Sequence, residues 1–145
     1  MKVEEIEPSL WQGRLGAFWE SLLETSSNST IFLSLPWISA WWRHFGRQAV
    51  PRLMAVWGDD QTLWAVAPLY GRSFLPAAIP GPEILRFLGD EGVGSEYLGI
   101  LLHRDHQASS LQAIAHHLQG RWSLLDLKGL REDWASTLAT RQTLA

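Results

Sequence analysis

Between positions 32 and 46 the apolar residues Trp37, Ile38, Trp41, Trp42 and Phe45 recur at the i, i+1, i+4, i+5, i+8 spacing of one broad helical face. Ser34 is placed to cap that helix. Pro36 suits its first turn, where a missing N–H costs nothing, and Gly46 offers a left-handed stop. The pattern predicts a structural organiser with its tryptophan-rich face turned inward. Ser39 and Arg43 fall on the other side, and His44 beside the apolar face as a partly buried packing residue. An earlier helix is expected over 10–23, with Leu15, Phe18, Trp19, Leu22 and Leu23 inward and Glu20 and Glu24 outward. Another is expected over 107–118 on the stripe Ala108, Leu111, Ile114, Ala115 and Leu118, stopped by Gly120, and a last one over 131–140.

Elsewhere the period shortens to that of strands. Residues 2–6 form a short first strand. Residues 52–57 and 63–70 flank Gly58-Asp59-Asp60-Gln61 as a hairpin, with Trp57 and Trp64 facing each other across it. Pro68 cannot donate to a ladder, so an edge position or a bulge is expected there. Residues 71–82 hold three prolines and read as a loop, followed by strands at 84–88, 97–102 and 122–127. Strand, helix, strand over 97–127 is a βαβ unit, whose strands should be parallel with a right-handed crossover. The result is an α/β, mixed-sheet domain over 1–145, with helices on both faces. No internal repeat or low-complexity segment interrupts it.

Composition narrows the partners. A chain of 145 residues with 46% hydrophobic and 19% charged residues is globular and large enough for one core. A net charge of −3, with no dominant basic patch, argues against nucleic acid. Ten arginines against two lysines favour bidentate pairing with carboxylate or phosphate wherever a cation has a role. The absence of cysteine excludes disulfides, a thiol nucleophile and thiolate metal sites. The acidic N-terminus lacks the apolar core of a signal peptide, and no run approaches the ~20 apolar residues of a membrane span. A cytoplasmic protein without membrane contact is expected.

Candidate chemistry is sparse. The segment Gly89-Asp90-Glu91-Gly92-Val93-Gly94-Ser95 has the glycines of a phosphate cradle. However, two carboxylates occupy it and a strand follows, whereas a cradle needs exposed amides at a helix start. It reads either as a strand-to-strand turn or as a substrate-facing loop. In the second case Asp90, Glu91 and Glu96 suit an amine or sugar hydroxyls. Tyr97, beside Glu96, is either a proton donor or a half-buried strand residue. His103-Arg-Asp-His106 is a weak metal signature, and His116 and His117 are adjacent on a helix and cannot face one site together, so no metal is assigned. No Gly-x-Ser-x-Gly elbow supports a hydrolase. The substrate-binding candidates are Arg43, His44, Asp90, Glu91, Ser95, Glu96 and Tyr97; no catalytic residue is assigned.

Four stretches taken together carry a resemblance: Phe32-Leu-Ser-Leu-Pro-Trp-Ile-Ser-Ala-Trp-Trp-Arg-His-Phe-Gly46, Ala65-Val-Ala-Pro-Leu-Tyr70, Leu85-Arg-Phe-Leu-Gly89 and Ser95-Glu-Tyr-Leu98. In this order they resemble the N-terminal half of GNAT-type acyltransferases of cellulose and exopolysaccharide biosynthesis, which are similar in turn to the Fem-type aminoacyltransferases. The resemblance implies a GNAT-like twisted sheet, incomplete at the C-terminus, and an acyl-coenzyme A co-substrate for the full enzyme. It also implies an amine, sugar or glycan acceptor, and a second GNAT-like half or a homodimer partner. GNAT proteins hold the pyrophosphate with a Gln/Arg-x-x-Gly-x-Gly/Ala segment joining a strand to a helix. Here the strand-to-helix junction is Leu102-His-Arg-Asp-His-Gln107, without glycine, so no coenzyme is expected on this segment alone. The alternative is a non-catalytic binding or assembly module using an open sheet edge and tryptophan-rich surface.

Overall fold

The computed structural model describes residues 1–73, 75, 83–90, 93–120 and 124–130. Its sheet is built on the hairpin of β2 (Val50–Trp57) and β3 (Leu63–Ser73). Strand β1 (Lys2–Glu5) pairs antiparallel with the outer side of β2. The opposite side of β3 carries β4 (Glu83–Phe87) along its C-terminal half and β5 (Leu101–Leu102) along its N-terminal half, both antiparallel. Strand β6 (Leu124–Leu125) then pairs parallel with β4.

Alternation along the strands sorts side chains to two faces. Leu53, Ala55, Val66, Tyr70 and Leu101 face α1 (Gly16–Thr25) and α2 (Leu35–Phe45), where Trp19, Leu22, Ile38 and Trp41 complete one core. Met54, Val56, Ala65, Ala67, Leu69, Leu85, Phe87 and Leu102 face α3 (Gln107–Leu118) in a second core. Buried indoles find backbone acceptors, as their N–H groups require: Trp11 donates to the carbonyl of Ile6 at 2.7 Å and Trp19 to that of Leu33 at 2.9 Å. The mixed sheet with helices on both faces is the architecture that the pattern predicts.

Several local expectations are corrected. The first helix is entered through a tight 3-10 turn at Pro8–Leu10 and a wider π-helical turn at Trp11–Leu15, and regular α-helix begins only at Gly16. Gly46 ends α2 at φ −76°, not in the left-handed region; its real constraint is space, since a Cβ there would lie 2.6 Å from the ring of Trp42. Phe45 and His44 are exposed and border an open groove beside α2. Strand β3 continues through Ser73, into the segment read as loop. The strand expected over 97–102 shrinks to Leu101–Leu102, and Tyr97 lies outside it with φ +54°. Its partner β6 is parallel as expected but lies against β4 instead of β5. Trp57 and Trp64 do not face each other: Trp57 packs on Phe18, and Trp64 stacks flat on His106 at 3.8 Å. The helix read over 131–140 lies outside the described residues. No helix among the described residues is long and apolar enough to cross a membrane.

Candidate functional site

Strands β4 and β5 lie on one edge of β3, but they are not continuous. Phe87 is opposite Leu69 and Leu101 is opposite Val66, so the ladder is vacated at Ala67 and Pro68. The N–H and C=O of one strand residue point to the same neighbour. The carbonyl of Pro68 accepts from Leu88 N–H at 2.8 Å, so its missing N–H falls on the side where the neighbouring strand departs. Pro68 thus sits in a central strand, in register with Leu53 of β2, at the gap between β4 and β5 and not at an edge. Gly89, at φ +100°, turns the chain out of the sheet, a conformation that favours glycine.

Helix α2 fixes the excursion that follows. Trp41 donates its indole N–H to the carbonyl of Asp90 at 2.9 Å, and its ring lies 4.9 Å from that of Tyr70. Tyr70 in turn donates its hydroxyl to Asp90 Oδ1 at 2.7 Å. One turn earlier, Trp37 donates to Ser95 Oγ at 3.1 Å. The two tryptophans are four residues apart on a helix, so they meet the loop at two points of one face. Between helix and loop runs an apolar groove of about 160 Å³, lined by Trp37, Ala40, Trp41, His44, Phe45 and Val93.

The structure therefore brings together part of the expected set. His44 lines the groove, Ser95 is held by Trp37, and Asp90, only 7% exposed, is engaged by Tyr70. Arg43 is exposed on α2 and does not line the groove. Glu96 and Tyr97 are exposed on the same excursion, Tyr97 to 53%. Glu91 lies outside the described residues. Sequence reasoning missed Tyr70 and assigned Trp37 and Trp41 to packing alone. The available signal was the need of a half-buried indole for an acceptor.

The loop amides of the strand-to-helix junction are engaged within the chain. A phosphate cradle needs free backbone amides, and four consecutive ones are already engaged here. His103 N–H donates to the carbonyl of Trp64 at 2.8 Å and Arg104 N–H to that of Thr25 at 3.3 Å. Asp105 N–H donates to His103 Nδ1 at 3.2 Å and His106 N–H to the carbonyl of His103 at 3.0 Å. The Arg104 guanidinium also turns away, donating to the carbonyl of Thr25 at 2.9 Å. The loop amides of 103–106 are thus not free to cradle a diphosphate.

A charged network occupies the opposite face. Arg52 pairs with both oxygens of Glu83 and with Glu5, and Glu5 also meets His117 Nε2 at 2.9 Å. A Cβ on Gly71 would overlap the Glu83 carboxylate, so that glycine makes the pairing possible. Burial alone would raise Glu5, but hydrogen bonds from His117 and Arg52 outweigh it and hold the carboxyl below its usual range. Burial likewise works against the Arg52 charge, yet Glu83 and Glu5 raise its pKa. This network ties α3 and β1 to the sheet and stands apart from the groove.

No protein-family model and no curated protein matches the sequence. Among solved structures, the fold is similar to that of the aminoglycoside antibiotic 6'-N-acetyltransferase AAC(6')-Ih from Acinetobacter baumannii, with a TM-score of 0.55. Identity is 13%, over 99% of this chain and 88% of that one. At that identity the likeness speaks for architecture. The chain has the fold of a GNAT acetyltransferase.

Proposed function

We propose that this chain supplies the acceptor side of a GNAT-type N-acyl transfer. An acceptor amine, carried by a small molecule or a glycan, attacks the carbonyl of an acyl thioester; the C–N bond forms, the C–S bond breaks, and the departing thiol takes the proton that the amine gives up. The observation that carries this reading is the interruption of the β4–β5 edge, clamped by Trp37, Trp41 and Tyr70 beside an open groove. Holding the acceptor in one orientation is the contribution such a site makes. His44, Ser95, Glu96 and Tyr97 are the polar groups at or near it, and the carboxylate of Glu96 suits an ammonium group.

The donor is anchored elsewhere. With the amides of 103–106 engaged, the acyl-coenzyme A diphosphate needs another surface, which a second GNAT-like half or another copy of the chain provides. The resemblance of the four stretches to exopolysaccharide acyltransferases supports an amine or a sugar as the acceptor.

The test is thiol release from acetyl-coenzyme A with a panel of amino sugars and diamines. It is run on residues 1–145 alone and on the product of the reading frame extended past Ala145. The short chain should show no binding heat with acetyl-coenzyme A, and the longer product should release thiol. Micromolar binding by residues 1–145 overturns the division of labour, and silence of the longer product with every acceptor overturns the transferase reading. A second reading, an assembly module, is favoured by Leu124, which is 50% exposed on β6, a strand whose outer edge pairs with no other among the described residues. A stop codon after Ala145 and a concentration-dependent dimer in sedimentation would support it.

A further inference from the structure

A cleft of about 610 Å³ is remote from the groove. It opens between the start of the first helical segment and the far end of the hairpin. Pro51 lies opposite Tyr70, so the end of β2 at Trp57 is roughly 20 Å from that site at strand rise. The floor of the cleft is aromatic: Phe18, expected inward, is 45% exposed and packs edge-on against Trp57 at 5.1 Å. The ladder register shifts between Val56 and Trp57, an irregularity of the kind that re-aims a side chain. Gln61 at the rim holds φ +65° within the hairpin turn, where Gly58 N–H donates to the carbonyl of Thr62 and Gln61 N–H to that of Gly58.

The walls give the chemistry. Arg14 and Glu4 pair at 2.8 Å, Lys2 approaches the same carboxylate, and the N-terminal ammonium pairs with Asp59. Donors and acceptors thus alternate around an aromatic floor, with an amide at the rim. We propose that this cleft is a saccharide-binding site. A sugar ring lies with its C–H face on Phe18 and Trp57, and its hydroxyls meet Glu4, Arg14 and Gln61. Its volume is within the ~300–1,000 Å³ range of small-ligand sites and accommodates one or two sugar units. The proposal is independent of the transferase reading, since no part of the groove enters it.

The experiment follows the Trp57 indole N–H signal by NMR, assigned by its loss in Trp57→Phe. The folded chain is titrated with three hexasaccharides: a neutral glucan, a chitosan oligomer and a uronate oligomer. At least one should give a saturable shift below about 10 mM, weakened at least about tenfold by Phe18→Ala and unaltered by His44→Ala. A melting temperature close to that of the wild type confirms that the exposed Phe18 site has been changed without unfolding. No shift with any of the three, or shifts that survive Phe18→Ala, overturns the proposal.

Discussion

Trp41 shows how much one side chain can fix. Its ring is buried against Tyr70, and its N–H holds the carbonyl of Asp90. Trp41→Ala should cost about 3–5 kcal/mol in denaturant unfolding. Trp41→Phe keeps much of the packing and should cost less, while loosening the 93–98 segment in amide exchange. Tyr70→Phe removes one hydrogen bond to a buried carboxyl and should cost about 1–3 kcal/mol by the same measurement. Gly46→Ala should destabilise by about 1–3 kcal/mol, because Trp42 must move to admit the methyl group. At this scale the sequence was partly legible. The cap Ser34 and the early Pro36 follow from local rules, and the Ser34 hydroxyl does accept from Trp37 N–H. The exposure of His44 and Phe45 was not legible, because the helical period marks an apolar face without showing where that face borders an open groove.

Elements obey a similar division. Hydrophobic period gave the existence of β4, β5, α3 and β6, but not which strand β6 would join, since pairing is decided by what is vacant on the sheet. Pro68 was the exception, a residue whose missing donor foretold a break in the ladder next to it. The tie between β1, β2 and α3 also gives a pH signature. Glu5 is held below the ordinary value of 4.5, so its contribution to stability is present above that value and lost as pH falls through the lower folded value. Glu5→Gln should therefore flatten the fall of melting temperature below about pH 4.5, with little change in the shape of the neutral region.

For the whole molecule, two cores on either side of one mixed sheet give a GNAT acetyltransferase fold in a sequence that no family model matches. The four resembling stretches reach that fold because they fall on α2, β3, β4 and the excursion, the parts that define its centre. The site itself was only half legible. Asp90 and Ser95 stood out by their loop, yet Tyr70 and the tryptophans that hold them lie 20 to 58 positions away in the chain. Spacing along a sequence carries no information about such encounters.

The vacated stretch of β3 has a consequence for how this protein can change. The strands on each side are pinned separately, β4 by its pairing with residues 69–73 and β5 by residues 65–66. The segment between them carries no ladder register and is held instead at two points, Asp90 by Trp41 and Ser95 by Trp37. Gly94 marks a suitable point: it is exposed, and a Cβ there meets nothing within 4 Å. Inserting two or three residues after Gly94 should cost less than about 1 kcal/mol, since loop closure depends only weakly on length. A thermal melt checks this directly. Sequence grafted at this one position changes the loop between its two tryptophan anchors, while the sheet below remains as it is.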